Sequence, residues 1–128
     1  MSATILVVDD NPTNLKLVSD VLGFEGHEIL RAVDAEEAQV ILARTLPNLI
    51  FMDIALPGMD GLTLTRKLKA DERTRHVRIV ALTAFAMKGD DQKAFDAGCD
   101  GYITKPIDTR TLPAQVAGFL ARADDHNN

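Results

Sequence analysis

Along the chain, short apolar runs alternate with longer stretches in which apolar side chains recur at helical spacing. Thr4-Ile5-Leu6-Val7-Val8 is nearly continuous and rich in β-branched residues, the pattern of a strand buried on both faces, and it stops at Asp9-Asp10. Asn11-Pro12 then supplies a helix cap with proline at the first helical position, and the helix that follows sets Leu17, Val18, Val21 and Leu22 on one stripe. Leu15 lies off that stripe, and both a core and an exposed role stay open for it. Phe24-Glu25-Gly26 closes the helix. His27 to Ala32 reads as a second strand, and Asp34 caps a helix that has Glu37 at its third position and turns Ala38, Ile41 and Leu42 inward.

Leu49-Ile50-Phe51-Met52 is the third strand and stops at Asp53. Ile54 to Gly61 holds two glycines and a proline and reads as a loop, followed by a helix over Leu62 to Ala70 with Leu64 and Leu68 four apart. Ile79-Val80-Ala81-Leu82 forms the fourth strand, ending at Thr83. A helix from about Lys88 stops at Gly98, and Gly101-Tyr102-Ile103-Thr104 gives a short fifth strand ending at Lys105-Pro106. The last helix starts near Thr109 and carries Leu112, Val116, Phe119 and Leu120; the tail from Asp124 to Asn128 is polar and reads as frayed. Five strands separated by helices imply an α/β doubly wound domain: a parallel sheet joined by right-handed crossovers, with helices on both faces.

Composition narrows the function. With 128 residues the chain forms one domain, its core over about 4–122 and a polar tail over 123–128, which leaves no room for a second module of ordinary size. Nineteen acidic against 14 basic side chains give a net charge of −5, so neither a nucleic-acid backbone nor an anionic membrane is an expected partner. Cys99 is the only cysteine, which excludes an internal disulfide and a cysteine-rich zinc site. No apolar run approaches the roughly 20 residues that span a bilayer, and no basic region precedes an apolar stretch at the N-terminus. A cytoplasmic location is the expectation.

The polar residues that stand out share one address. Asp9, Asp10, Asp53, Thr83 and Lys105 all fall at or just past the C-terminal ends of strands, the edge where open α/β sheets bind ligands. Any one of them reads as a helix cap or a turn residue. Converged, three carboxylates would repel one another and raise their own pKa values unless a cation or a lysine neutralised them, and a hard divalent ion such as Mg²⁺ suits carboxylate oxygens beside a phosphoryl group. Other phosphate folds fit less well. The first strand is followed neither by a Gly-Lys-Ser/Thr phosphate loop nor by Gly-x-Gly-x-x-Gly, and the adjacent aspartates differ from the alternating pair of haloacid dehalogenase-type phosphatases. Cys99 has no histidine near it in sequence, and His27, His76 and His126 are scattered, reading as surface or strand-end residues.

From about Thr4 to Leu120 the chain resembles the receiver domain of two-component response regulators, with a flavodoxin-like sheet of strand order 2-1-3-4-5. The resemblance rests on Asp9-Asp10, on Met52-Asp53-Ile54-Ala55-Leu56-Pro57-Gly58-Met59-Asp60-Gly61, on Thr83-Ala84, and on Tyr102-Ile103-Thr104-Lys105-Pro106. Thr83 to Asp90, with Gly98-Cys99 and Lys105-Pro106-Ile107, is similar to stand-alone, cell-cycle-type receivers, and receivers fused to hybrid kinases share much of it. The resemblance implies that Asp53 accepts a phosphoryl group from a phosphohistidine. It implies Mg²⁺ on Asp10 and Asp53, on Asp9 directly or through water, and on the carbonyl of Ala55. Lys105 would face Asp53 and then the phosphoryl oxygens across a cis Lys105–Pro106 bond. Thr83, with the small Ala84 beside it, would donate its hydroxyl to the phosphoryl group, and Tyr102 would move into the space Thr83 leaves.

The resemblance also implies that the side chains two residues past Asp53 and Thr83 border the path of the hydrolytic water; here they are Ala55 and Phe85, which offer it no hydrogen bond, so a long-lived phosphoryl group is expected. Expected partners are a histidine kinase or phosphotransfer protein docking at Asn11, Pro12, Asn14 and Leu15, and a downstream protein target. Met87 introduces a possible output face, and the oligomeric expectation is a monomer or a phosphorylation-linked dimer. A signalling switch with no output domain is the leading expectation. A phosphate carrier in a multistep relay and a receiver cut from a hybrid kinase are the alternatives; a phosphatase acting on free substrates lacks a visible substrate pocket or acid-base residue.

Overall fold

The computed structural model describes the backbone of residues 3–83 and 90–126, and the side chains of 3–83 and 91–121. Its elements in chain order are β1 (Thr4–Val8), α1 (Pro12–Phe24), β2 (Glu28–Ala32), α2 (Ala35–Leu42), β3 (Leu49–Asp53), α3 (Gly61–Ala70), β4 (Arg78–Thr83), α4 (Asp90–Ala97), β5 (Gly101–Thr104) and α5 (Leu112–His126). All four strand pairings are parallel and the order is β2-β1-β3-β4-β5. The chain reverses its direction of travel across the sheet after β2, so β1 and β3 are neighbours and the loops that follow them leave the same edge side by side.

Because the strands are covered on both faces, each contributes alternate residues to two cores. Leu6, Val8, Ile50, Met52, Ile79 and Ala81 pack with α2, α3 and α4 through Ala38, Leu42, Leu64, Leu68 and Ala94. On the opposite face Ile5, Val7, Leu49, Phe51, Val80 and Leu82 pack with α1 and α5 through Leu15, Val18, Leu22, Leu112 and Val116. Both cores are predominantly aliphatic, with Phe51 the fully buried aromatic among the described residues, and β3 is buried from end to end.

The helices begin where the sequence places caps. Asn11 Oδ1 accepts the N–H groups of Thr13 and Asn14 at 2.9 and 3.2 Å, and Asp34 Oδ1 accepts that of Glu37 at 2.8 Å. Four expectations are corrected. The buried stripe of α1 is Leu15, Val18, Ser19 and Leu22, whereas Leu17 is exposed and Val21 only half-buried. Ser19 can face the core because its hydroxyl donates to the Leu15 carbonyl at 2.5 Å, so no polar group is left unpaired. The last helix starts at Leu112, not near Thr109, since Pro113 has no N–H to give the Thr109 carbonyl and its ring excludes a helical carbonyl there; residues 109–111 form a turn on Asp108 instead. That helix also runs on to His126, where a frayed tail from Asp124 was expected. β2 starts one residue late, at Glu28, and the helix start expected near Lys88 lies outside the described residues.

Candidate functional site

At the C-terminal edge of the sheet, β1 ends in Val8 and delivers Asp9 and Asp10, β3 ends in Asp53, β4 ends in Thr83, and β5 leads into Lys105. The five residues named in advance for this edge are therefore brought to it, and the carboxylates of Asp9, Asp10 and Asp53 each offer an oxygen within 4.8 Å of the others. Asp9 is fully buried, Asp53 almost so, and Asp10 is exposed.

Each carboxylate is held by its own turn. Asp9 Oδ1 accepts the Asn11 N–H at 2.9 Å, and Asp53 Oδ1 accepts the Ala55 N–H at 2.9 Å. These bonds to the residue two positions on lock the side chains as the chain leaves the strand, which is what aspartate does at a turn. Lys105 crosses from β5 to join the two. Its Nζ donates to Asp53 Oδ2 at 3.0 Å and lies 2.9 Å from Asp9 Oδ2 in a close ion pair. The Lys105–Pro106 peptide bond is cis.

The charges respond accordingly. Burial first, and the neighbouring Asp53 charge to a lesser degree, raise the Asp9 carboxyl above its ordinary range, against the Asn11 N–H and Lys105, which lower it. The repulsion expected from sequence is thus present but secondary to desolvation. Burial by itself would lower the Lys105 ammonium; the two carboxylates outweigh it, and its pKa is raised.

The donor set fits a hard divalent cation. Asp9 Oδ2 is buried without a directed hydrogen bond, an oxygen with lone pairs left over, and it shares the edge with two further carboxylates. Ala55, in the loop after β3, is exposed.

Thr83 is buried at the end of β4, paired in register with Thr104, and Lys105 N donates to the Thr83 carbonyl at 2.7 Å. Tyr102 is half-buried, in register with Ala81, and packs on the core under α2, α3 and α4. Ala84, Phe85 and Met87 lie outside the described residues. Of the docking residues named from sequence, Asn11 and Pro12 are exposed and Asn14 half-buried, but Leu15 is in the core and cannot make a surface contact. Cys99 is buried and its thiol is pushed up to about 11 by desolvation, which removes it as a nucleophile. His76 is exposed; His27 Nδ1 accepts the Ala3 N–H at 3.0 Å, a strand-end role.

Sequence reasoning treated Gly61 only as a loop residue. It is the first residue of α3, its N–H donates to the Ile54 carbonyl at 3.3 Å, and Asp60 before it caps the helix, accepting Thr63 N at 2.8 Å and Thr63 Oγ1 at 3.0 Å. The Thr63 N–H holds the Asp60 carboxyl below its usual range. The helix cap was legible as Asp before an apolar period; the close approach of backbone to backbone was not.

Residues 5–117 match the family described as "Response regulator receiver domain". The chain is 39% identical over 123 residues to the polar-differentiation response regulator DivK of Brucella ovis, covering 96% of this chain and all of that one. A response regulator of Chloroflexus aurantiacus superposes with a TM-score of 0.89 at 33% identity, covering 94% of this chain and 99% of the other. The receiver domain of a Pseudomonas aeruginosa sensor histidine kinase, whose crystal structure has a magnesium ion coordinated in the active-site cleft, gives 0.85 at 32% identity over 94% and 99%. The likeness to stand-alone, cell-cycle-type receivers is borne out by the first of these. Among the described residues no helix is long and apolar enough to cross a membrane.

Proposed function

The chain belongs to the response regulator receiver domain family of two-component signalling, and on that premise we propose that Asp53 accepts a phosphoryl group from a phosphohistidine and that the phosphorylated domain changes its protein contacts. The observation that carries the reading is Lys105 Nζ bridging Asp53 Oδ2 and Asp9 Oδ2 at 3.0 and 2.9 Å, at the one edge that also holds Asp10.

In the transfer, a carboxylate oxygen of Asp53 forms a bond to phosphorus as the phosphorus–nitrogen bond breaks, and the imidazole keeps the electron pair. The transition state is loose and charge-rich, so the protein's work is positioning and neutralisation. Ala55 N–H fixes the Asp53 side chain through Oδ1. Lys105 sets a positive charge against the oxygens of the acceptor and of the incoming group. Asp9, Asp10, Asp53 and the Ala55 carbonyl would hold Mg²⁺, which when bound supplies the charge that offsets three carboxylates and a phosphoryl group. Thr83 would donate its hydroxyl to a phosphoryl oxygen, and Tyr102 beside it in the sheet would report that movement to the surface of β5 and its flanking helices. For such a switch to move most of its population, the phosphoryl group must favour the active arrangement by several kcal/mol, about 5.5 for a shift from 1:99 to 99:1.

We place the protein in the cytoplasm, receiving phosphate from a histidine kinase or phosphotransfer protein that docks over the edge near Asn11, Pro12 and Asn14. Its output is contact with a downstream protein. Mass spectrometry after incubation with Mg²⁺ and acetyl phosphate tests the chemistry: the wild type gains one phosphoryl group and Asp53→Asn gains none. No Mg²⁺-dependent gain in the wild type, under conditions that label a known receiver, would overturn the assignment of Asp53.

A further inference from the structure

Beyond the groups that face the reacting atoms, we propose that Gly61 is a positioning residue for Asp53: its missing side chain lets the first turn of α3 rest on the Asp53–Ile54 peptide and so fixes where the carboxylate stands. The inference rests on the reading of Asp53 as phosphoacceptor. A Cβ at position 61 would run into the carbonyl oxygen of Asp53, and would stand only 2.9 Å from both the carbonyl carbon of Asp53 and Cα of Ile54. All three are backbone atoms, so no side chain can rotate aside. Gly61 itself is buried, and its N–H closes the contact on the Ile54 carbonyl.

The helix cannot retreat to make room. Leu64, Thr65 and Leu68 are buried, with Leu64 and Leu68 in the core beneath the sheet. At the far end Lys69 Nζ is bound to Asp100 Oδ2 at 2.9 Å and to the Val77 carbonyl at 2.8 Å, which ties the last turn of α3 to the starts of β4 and β5. Anchored at both ends, α3 leaves the Asp53 peptide as the part that must yield. A shift there moves Asp53 Oδ1 away from the Ala55 N–H and Oδ2 away from Lys105, two contacts of 2.9 and 3.0 Å that the transfer depends on. Gly118 has nothing within 4 Å of an added Cβ, and Gly26, Gly58 and Gly98 adopt positive φ; at Gly101 a Cβ would meet side chains, the Phe119 ring first at 2.5 Å, whereas at Gly61 the nearest atoms are all backbone.

Gly61→Ala is compared with Gly118→Ala and with Leu22→Ala, which opens a cavity under α1 away from the edge. Phosphorylation by acetyl phosphate is followed against donor concentration, per folded molecule, and the Ala55 amide is followed by NMR. A misplacement of about 1 Å can cost about 10²-fold in rate, so Gly61→Ala should lose on the order of 10- to 100-fold in the saturating rate and move the Ala55 amide. Gly118→Ala should match the wild type in both, and Leu22→Ala should lower stability with the rate per folded molecule kept. A Gly61→Ala protein that labels at the wild-type rate with an unmoved Ala55 amide overturns the proposal, as does a rate loss that Leu22→Ala reproduces. Should Gly61→Ala not fold, Asp60→Ala decides: loosening the same turn should slow labelling and shift the Ala55 amide, and no change in either overturns the proposal. If the wild type takes no phosphoryl group, the function proposed above falls, and the Ala55 amide in the same variants still decides whether Gly61 positions Asp53.

Discussion

A fully buried carboxylate is costly unless a cation meets it, and at Asp9 the cation comes from 96 positions along the chain in Lys105. The pairing gives a pH signature with a definite sign. Because the Lys105 pKa is raised above its ordinary 10.5, its stabilising contribution is complete below that pH and is lost as pH rises through the folded value. The stability gap between wild type and Lys105→Met should be flat from neutral pH to about 10 and close above it, in urea unfolding across that range. A gap that persists unchanged above pH 11 would count against the pairing. Asp9 has the opposite sense: with its pKa raised above 3.8, the folded state binds the proton first, so acidification toward 4 relieves its cost. Removing Lys105 raises Asp9 further, and Lys105→Met should lose less stability than wild type on going from pH 7 to 4. Two residues past Asp53, Ala55 is exposed and has no side-chain group to orient water. The phosphorylated domain should therefore keep its label for minutes or longer without a phosphatase, and loss within seconds by mass spectrometry would refute this.

At the scale of elements, α1 shows how far a hydrophobic period can be read. Leu17-Val21 and Leu15-Ser19 are both i, i+4 rows beside Val18 and Leu22, and hydropathy favours the first. The fold selects the second, because Ser19 meets its own hydrogen-bonding need within the helix and needs no water. The consequence is measurable two residues apart. Leu22, fully buried, should cost about 2–5 kcal/mol on truncation to alanine, whereas Phe24, 91% exposed, should change stability by no more than about 0.5 kcal/mol as Phe24→Ser. Equal effects in urea unfolding would mean that α1 packs otherwise. The start of α5 was legible in principle, since Pro113 forbids a helical Thr109 carbonyl; the apolar period of Leu112 and Val116 does not itself mark where the first turn closes.

For the whole molecule, the doubly wound sheet concentrates negative charge at one edge of a chain whose net charge is already −5. Folding brings those carboxylates together, so a cation that binds only the folded edge must stabilise the whole domain. Mg²⁺ at about 100 times its Kd should raise unfolding free energy by about 2.7 kcal/mol, reversed by EDTA. Asp10→Asn, which removes the exposed carboxylate of the cluster, should abolish most of that gain in thermal unfolding. A Mg²⁺ effect that survives Asp10→Asn would place the cation elsewhere.

The amino-acid sequence determined the order of strands and helices, because each period and cap is a local property, and it determined which residues reach the C-terminal edge of the sheet, because a strand that ends in Asp or Lys must deliver it there in a parallel sheet. It could not decide which stripe of α1 faces inward, where Lys105 divides its charge, or that Gly61 must lack a side chain. Those depend on distances between segments far apart in the chain, and only the packed sheet, with α3 pinned at both ends and Asp53 beneath it, sets such distances.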